Sequence, residues 1–216
     1  MSETVVPSIS IEGNIGSGKS SLLAHIIEQE GMFLEEHGVT PIYEPVNNWS
    51  TYRDMHGTTI LEHFYSDMPR YAFPFQMLAY FTRYSIYREA RGNLLLTERS
   101  LDTDRHIFAQ MQADIGNIDD ICMQIYRTWF DHHAKDIRVS GHIYMRTLPE
   151  LCYERINKRA RKGEEAISME LLEGYHRYHE RWLMDGVKEP VLVLDGSLPL
   201  ASHLPKIREF LNAFSS

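Results

Sequence analysis

Residues 9–23 read Ile9-Ser-Ile-Glu-Gly13-Asn14-Ile15-Gly16-Ser17-Gly18-Lys19-Ser20-Ser21-Leu-Leu23. The spacing Gly13-x4-Gly18-Lys19-Ser20 satisfies the phosphate-binding loop pattern in full. It stands where such a loop belongs, between a β-branched run and an amphipathic helical pattern. The glycines let the backbone curl so that successive N–H groups point inward at phosphate oxygens. The helix that follows offers the positive end of its dipole to the same anion. Lys19 is long enough to reach β- and γ-phosphates, and the Ser20 hydroxyl suits a magnesium ion. Gly13, Asn14, Ile15, Gly16, Ser17, Gly18, Lys19, Ser20 and Ser21 are therefore expected to hold a nucleoside triphosphate. The motif alone does not separate a kinase from a GTPase switch or a motor.

Outward from this loop, short apolar runs recur at Ser8–Glu12, Val39–Tyr43, Leu94–Thr97, His142–Thr147 and Val191–Leu194. Long segments with helical periodicity separate them: Tyr71–Arg91, Asp119–Ala134, Leu148–Arg161 and Ser168–Leu183. Thr147 is expected to cap the third of these and Ser168 the fourth. Strands alternating with helices predict a five-stranded parallel sheet covered on both faces, a three-layer α/β fold of the P-loop NTPase type. No linker or repeat interrupts residues 1–216, so a single domain is expected.

The carboxyl ends of parallel strands face the ligand crevice. Two acidic residues are expected there. The second strand runs into Glu44-Pro45-Val46-Asn-Asn-Trp49, and the third into Glu98-Arg99-Ser100. A carboxylate at Glu44 would repel a triphosphate unless it served an acceptor group. Glu98 can help Ser20 hold magnesium, and Arg99 can bridge Glu44 and the transferring phosphoryl. Read from the residues alone, Glu44 and Arg99 also fit a structural ion pair. Arg155-x3-Arg159-x-Arg161-Lys162-Gly163-Glu164 gathers basic residues near a helix end before a glycine. That suits a lid over phosphates, spanning residues 155–168.

Composition narrows the partners. The formal net charge of -8 disfavours a non-specific grip on nucleic acid. No apolar run approaches the roughly 20 residues of a membrane span. The residues before the first strand include Glu3 and no basic residue, so no targeting peptide and a cytoplasmic location are expected. Cys122 and Cys152 cannot form a four-ligand zinc site unaided and read as buried thiols.

Taken together, Glu12-Gly-Asn-Ile-Gly-Ser-Gly-Lys-Ser20, Glu44-Pro-Val-x-x-Trp49, Phe75-Gln76, Glu98-Arg-Ser-x3-Asp104-Arg105-x-x-Phe108, the Arg159–Glu164 lid and Tyr175-His-x-x-His-Glu-x-Trp182-Leu183 resemble the deoxyribonucleoside kinase family. That family includes deoxycytidine, deoxyguanosine and mitochondrial-type thymidine kinases. The resemblance implies ATP-dependent phosphorylation of a nucleoside 5′-hydroxyl, with magnesium. It makes Glu44 the base and Arg99 its support. It implies that Tyr65 and Glu164 bind the sugar 3′-hydroxyl, and that Gln76 reads the base edge. Trp49 and Phe108 become aromatic walls, and Arg155, Arg159 and Arg161 phosphate contacts. The loop after Asp195 would cover the donor adenine. Arg83 and Asp104 match a pair found in the deoxycytidine and deoxyguanosine kinases, where thymidine-accepting relatives carry apolar residues. Deoxycytidine or purine deoxyribonucleosides are thus expected to be favoured over thymidine. Two departures, Gly163 for one acid of the lid pair and Ser168 for a proline, bear on lid stiffness. The family also implies a homodimer, with Tyr71–Arg91 and Asp119–Ala134 as candidate contacts.

Two rivals share the loop. A nucleoside monophosphate kinase, such as a thymidylate kinase, would want an arginine rather than Glu44 at the second strand's end. A P-loop switch would carry Asp-x-x-Gly or Asn-Lys-x-Asp, and the chain is expected to lack both.

Overall fold

The computed structural model describes residues 6–214. Five parallel strands form one sheet: β1 (Pro7–Glu12), β2 (Val39–Ile42), β3 (Leu94–Glu98), β4 (Arg138–Arg146) and β5 (Val191–Asp195), in the order β2-β3-β1-β4-β5. β1 lies in the middle: the chain goes first to the edge strand β2, returns to β3 beside β1, and then crosses to β4 and β5 on the other side. That makes the end of β1 the topological switch point, where open α/β sheets bind ligands. The central strands are buried on both faces because helices cover both. β1 turns Ser8, Ser10 and Glu12, all fully buried, to one face, while Ile9 and Ile11 join Leu94 and Leu96 of β3, also fully buried, in one apolar cluster. Each such apolar side chain contributes roughly 1.5–3 kcal/mol relative to exposure.

Ten helices accompany the strands among the described residues. α1 (Lys19–Glu36) buries Leu22, Leu23 and Ile26 against the sheet. α2 (Val46–Trp49) is one turn after β2. α3 (Ile60–Ser66) begins with a complete capping box, Thr59 with Glu62. α4 (Met68–Glu89) is the expected long helix, starting three residues earlier because Asp67 caps it. After β3, α5 (Leu101–Thr103) and α6 (Gln110–Asp114) flank a π-helical turn, Asp104–Ala109. π turns recur at functional sites, and this one carries Asp104 and Phe108. α7 (Asp120–His133) packs on α4, and α8 (Pro149–Arg159), α9 (Met169–Glu180) and α10 (Leu204–Asn212) complete the layers.

Two caps differ in their outcome. Ser168 caps α9 as expected, its Oγ accepting from Leu171 N–H at 3.1 Å. Thr147 does not cap α8. Leu148 holds that position without a side-chain bond, and Thr147 Oγ1 instead donates to the Ser17 carbonyl at 3.1 Å. The hydroxyl braces the phosphate loop from β4 rather than the start of its own helix. Asp54-Met-His-Gly57 does spell Asp-x-x-Gly, against expectation, but it forms an exposed turn before α3 and follows no strand end. Both cysteines are free, Cys152 buried and Cys122 only half-buried. No helix among the described residues is long and apolar enough to cross a membrane.

Candidate active site

β1 delivers the phosphate loop. Gly13 (φ 145°) and Gly16 (φ 77°) turn through conformations that L residues avoid. A Cβ on Gly16 would lie 2.5 Å from the Cys152 carbonyl oxygen, so no larger residue fits there. Lys19 is folded into the loop, its Nζ donating to the Asn14 carbonyl at 2.8 Å. Burial, and then the neighbouring Arg99, push its pKa down to about 8. Ser20 Oγ donates to Glu98 Oε1 at 2.6 Å. This couples a hydroxyl to a carboxylate at the loop, a hard oxygen set that fits magnesium. The Asn14 side chain faces away, its Nδ2 donating to the Leu172 carbonyl at 2.8 Å and its Oδ1 accepting from Ile15 N–H. It anchors the loop to α9, so Asn14 can offer a phosphate only its backbone.

Glu44, just past β2, sits between two guanidiniums. Its Oε1 is 3.0 Å from Arg83 Nη2 and 3.1 Å from Arg99 Nε. Burial opposes its charge, but Arg99, Arg83 and Lys19 outweigh it and hold Glu44 below the ordinary carboxylate range. Arg99 has φ 66°, a left-handed backbone that costs a side-chain-bearing residue about 1–2 kcal/mol. Its N–H donates to Ile11 and its carbonyl accepts from Thr97 Oγ1, both at 2.9 Å. The strain turns the guanidinium toward Glu44 and over the Phe108 ring, 4.6 Å from its centroid. Arg99 Nη1 is buried with no protein partner.

Beneath this turn lies a residue the sequence reading passed over as a site residue. Glu12, wholly buried, accepts from Ser100 Oγ at 3.0 Å and Thr103 Oγ1 at 2.7 Å. A charged residue closing an otherwise uncharged, buried strand was the available signal.

Arg83 and Asp104 meet as expected. Arg83 Nε donates to Asp104 Oδ2 at 2.9 Å and Nη2 lies 3.4 Å from Oδ1. Arg83 also donates to the Glu98 carbonyl at 3.0 Å, so every face of its guanidinium is engaged. Burial works against the Arg83 cation, but Asp104 and Glu44 outweigh it and raise its pKa. Burial pushes the Asp104 carboxyl upward while Arg83 pulls it back. Asp104 faces the cavity, whereas Arg83 stands behind it and orients it.

A cavity of about 620 Å³ joins these groups, lined both by the phosphate loop and by Glu44, Trp49, Tyr65, Gln76, Asp104 and Phe108. Gln76 is 1% exposed and its Oε1 has no protein partner. An unsatisfied buried amide in a cavity calls for a ligand that donates to it. Trp49 meets Phe75 edge-on and donates its Nε1–H to Thr82 Oγ1 at 2.9 Å. Phe108 packs on Tyr175, centroids 4.8 Å apart. Burial raises the Tyr65 pKa, so its phenol keeps its proton and can donate. Leu61, Phe64 and Tyr175 also line the cavity and were not among the expected site residues. Leu61, Phe64 and Tyr65 share one face of α3, a spacing legible only once that helix is placed.

The lid arginines are engaged within the protein. Arg155 donates to the Ser17 carbonyl at 3.0 Å and the Gly196 carbonyl at 2.8 Å, tying the phosphate loop to the segment after β5. Arg159 and Arg161 both turn to Glu164, at 2.6 and 3.4 Å. Asp195 does not line the cavity: its Oδ1 accepts from Ser197 N–H and Oγ, while Gly196, Leu198, Pro199 and Leu200 form the wall.

A phosphate loop at the switch point, a carboxylate across the cavity and an arginine lid together define a P-loop kinase. The model of the deoxynucleoside kinase family matches residues 9–214. A probable deoxycytidine kinase of Fowlpox virus (strain NVSL) is 36% identical over 198 residues, covering 87% of this chain and 78% of that protein. Deoxycytidine kinase 2 of Gallus gallus is 34% identical, with 87% and 81% covered. The mitochondrial thymidine kinase 2 of Homo sapiens is 32% identical, with 87% and 69% covered. The chain belongs to the deoxynucleoside kinase family, and it is a deoxyribonucleoside kinase using ATP.

Proposed function

We propose that the enzyme phosphorylates the 5′-hydroxyl of deoxyribonucleosides and prefers deoxycytidine and purine deoxyribonucleosides to thymidine. The preference rests on one observation: the buried Asp104 carboxylate, held by Arg83, faces the cavity that Gln76 also lines. Cytosine, adenine and guanine each carry an exocyclic amine that such an acceptor can bind. Thymine carries none, and its methyl would desolvate Asp104 without compensation. Relatives named for deoxycytidine and for thymidine lie at similar identity, so overall similarity does not decide the base. Rates of ATP-dependent phosphorylation across the four natural deoxyribonucleosides and a monophosphate panel test this. Faster turnover of thymidine than of deoxycytidine overturns the base preference. Efficient use of a monophosphate favours the rival kinase class, although an acceptor phosphate would meet the Glu44 carboxylate.

In this reading Glu44 orients the hydroxyl and takes its proton late, since a depressed pKa makes it a weak base. Arg99 steadies Glu44 and, through its unpaired Nη1, the developing charge. Trp49 and Phe108 hold the base between aromatic faces, and Tyr65 with Glu164 binds the sugar 3′-hydroxyl. Ser20 and Glu98 would hold magnesium, which neutralises phosphate charge in transfers of this kind. Lys19 and the loop amides receive the triphosphate, and the lid arginines must release Glu164 in part to reach it.

The Lys19 value sets a pH dependence. Below about pH 8 the ammonium is charged; above it the free enzyme loses that charge. KM for ATP is expected to be flat from pH 6.5 to 7.5 and to rise by up to about tenfold per unit above pH 8, while KM for the nucleoside stays level. A flat KM for ATP to pH 9.5 in initial-rate measurements would show that Lys19 keeps its charge there and overturn this pH dependence.

A homodimer is also proposed. Ile121, Ile125 and Trp129 follow one another at helical spacing on α7 and are 71%, 43% and 48% exposed, with Phe81 of α4 56% exposed. Such a stripe on two packed helices fits a second copy of the chain. Trp129→Glu with Ile125→Glu is expected to give a monomer in analytical ultracentrifugation. A dimer unchanged by both substitutions places the interface elsewhere. The two free cysteines suit a reducing compartment such as the cytoplasm.

A further inference from the structure

The lid and α3 approach each other more closely than an exposed charged loop needs. Lys162 Nζ lies 2.7 Å from Glu62 Oε1. The other oxygen of Glu62 is already held, accepting from Thr59 N–H and Oγ1 at 2.8 Å each. The hydrogen bond from Lys162, and then that from the Thr59 backbone, push the Glu62 carboxyl down to about 2. Next to Lys162 stands Gly163 at φ 90°, where a Cβ would lie 2.9 Å from Glu62 Cγ and 3.4 Å from its Cα. The glycine thus admits backbone contact between lid and helix, and an L side chain there would push them apart. Tyr65 follows Glu62 by three residues, one turn of α3, and Glu164 follows Lys162 by two. Each end of the ion pair is therefore next to one member of the Tyr65–Glu164 pair, and both of those line the main cavity.

We infer that Lys162 and Glu62 form a clamp that sets the lid against α3, with Gly163 as its contact point, and so fixes the spacing at which Tyr65 and Glu164 take the sugar 3′-hydroxyl. Lys162 is a positioning residue: it is 83% exposed and acts only through Glu62. The clamp rests on the proposed role of Tyr65 and Glu164. An exposed ion pair ordinarily contributes little because two long side chains must be ordered. Here the capping box orders the carboxylate in advance, so only the lysine loses freedom.

The test compares the best natural deoxyribonucleoside with its 2′,3′-dideoxy counterpart, in the wild type and in Lys162→Met, Lys162→Arg and Gly163→Ala. Lys162→Met is expected to lower kcat/KM for the deoxyribonucleoside about three- to fivefold, through KM, with kcat nearly constant. It should leave the dideoxy substrate unchanged, and Lys162→Arg should restore the wild-type value. Gly163→Ala, which strains the backbone as well, should cost about tenfold on the same substrate. Melting temperatures separate these effects from unfolding, and Lys162→Met should melt with the wild type. If the wild type does not distinguish the two substrates, the reading of Tyr65 and Glu164 fails and takes the clamp with it. If it does, but Lys162→Met slows both substrates equally or neither, the clamp alone is overturned.

Discussion

Glu44→Gln is expected to lower kcat by about 10²–10⁴-fold while nucleoside and ATP dissociation constants change less than about threefold. The carboxylate is shared by Arg83 and Arg99 at 3.0 and 3.1 Å. A glutamine carbonyl can still accept from both, so the cavity keeps its shape. What it loses is a charge that can draw the 5′-hydroxyl proton and balance two buried cations. The depressed pKa of Glu44 adds a second expectation. Its titration lies below the usual carboxylate range, so kcat should show no acid limb near neutral pH. Rapid-quench turnover and calorimetric binding check both parts. A glutamine variant that turns over at near-normal rate removes Glu44 from the chemistry and leaves it a structural partner of Arg99.

The second large effect concerns the base. In Arg83→Met with Asp104→Ala, the ratio of kcat/KM for thymidine to that for deoxycytidine should rise roughly 30–160-fold. That corresponds to about 2–3 kcal/mol of relieved desolvation and lost amine recognition. The singles should behave differently. Asp104→Ala strands the Arg83 cation with a reduced set of partners, and Arg83→Met strands a carboxylate that is 2% exposed. Either costs about 3–5 kcal/mol, enough to lower the melting temperature by roughly 10 °C in a chain of this size. The double variant removes both charges and should melt higher than Arg83→Met alone. It will still turn over more slowly, because Arg83 also donates to Glu44 and to the Glu98 carbonyl. An unchanged base ratio in the double variant would remove Asp104 from base selection.

These two predictions meet in one network. Arg83 bonds Asp104 and Glu44 at once, so under the proposed function base recognition and catalysis are mechanically joined. The left-handed Arg99 completes the arrangement from the other side. Backbone strain of this kind persists only where surrounding bonds hold it, here those to Ile11 and Thr97.

Much of this was legible in the linear chain. Gly13-x4-Gly18-Lys19-Ser20 is a local motif, and its chemistry depends on residues that are neighbours in sequence. The alternation of β-branched runs and helical periods likewise required the parallel sheet, because both signals repeat over a few residues. Charged residues at strand ends could be assigned to the crevice by topology alone, which brought Glu44, Glu98 and Arg99 together.

Other features answer to contacts over long sequence separations. Thr147 suits a helix cap by local rule, yet it braces Ser17, 130 residues away, where it fills the second lone pair of a buried carbonyl that Arg155 also bonds. Asn14 belongs to the phosphate motif but spends its side chain on Leu172. Arg83 reads as a base contact and stands instead behind Asp104. Gly163 departs from the lid pattern for a reason no alignment of letters contains: Glu62 of α3 fills the space its side chain would need. The chain by itself thus determined the sheet, the phosphate loop and which residue types face the crevice, since each follows from short-range pattern. Only the tertiary structure decided which donor meets which acceptor, because a buried hydrogen bond is won by proximity in space, whatever the distance along the chain.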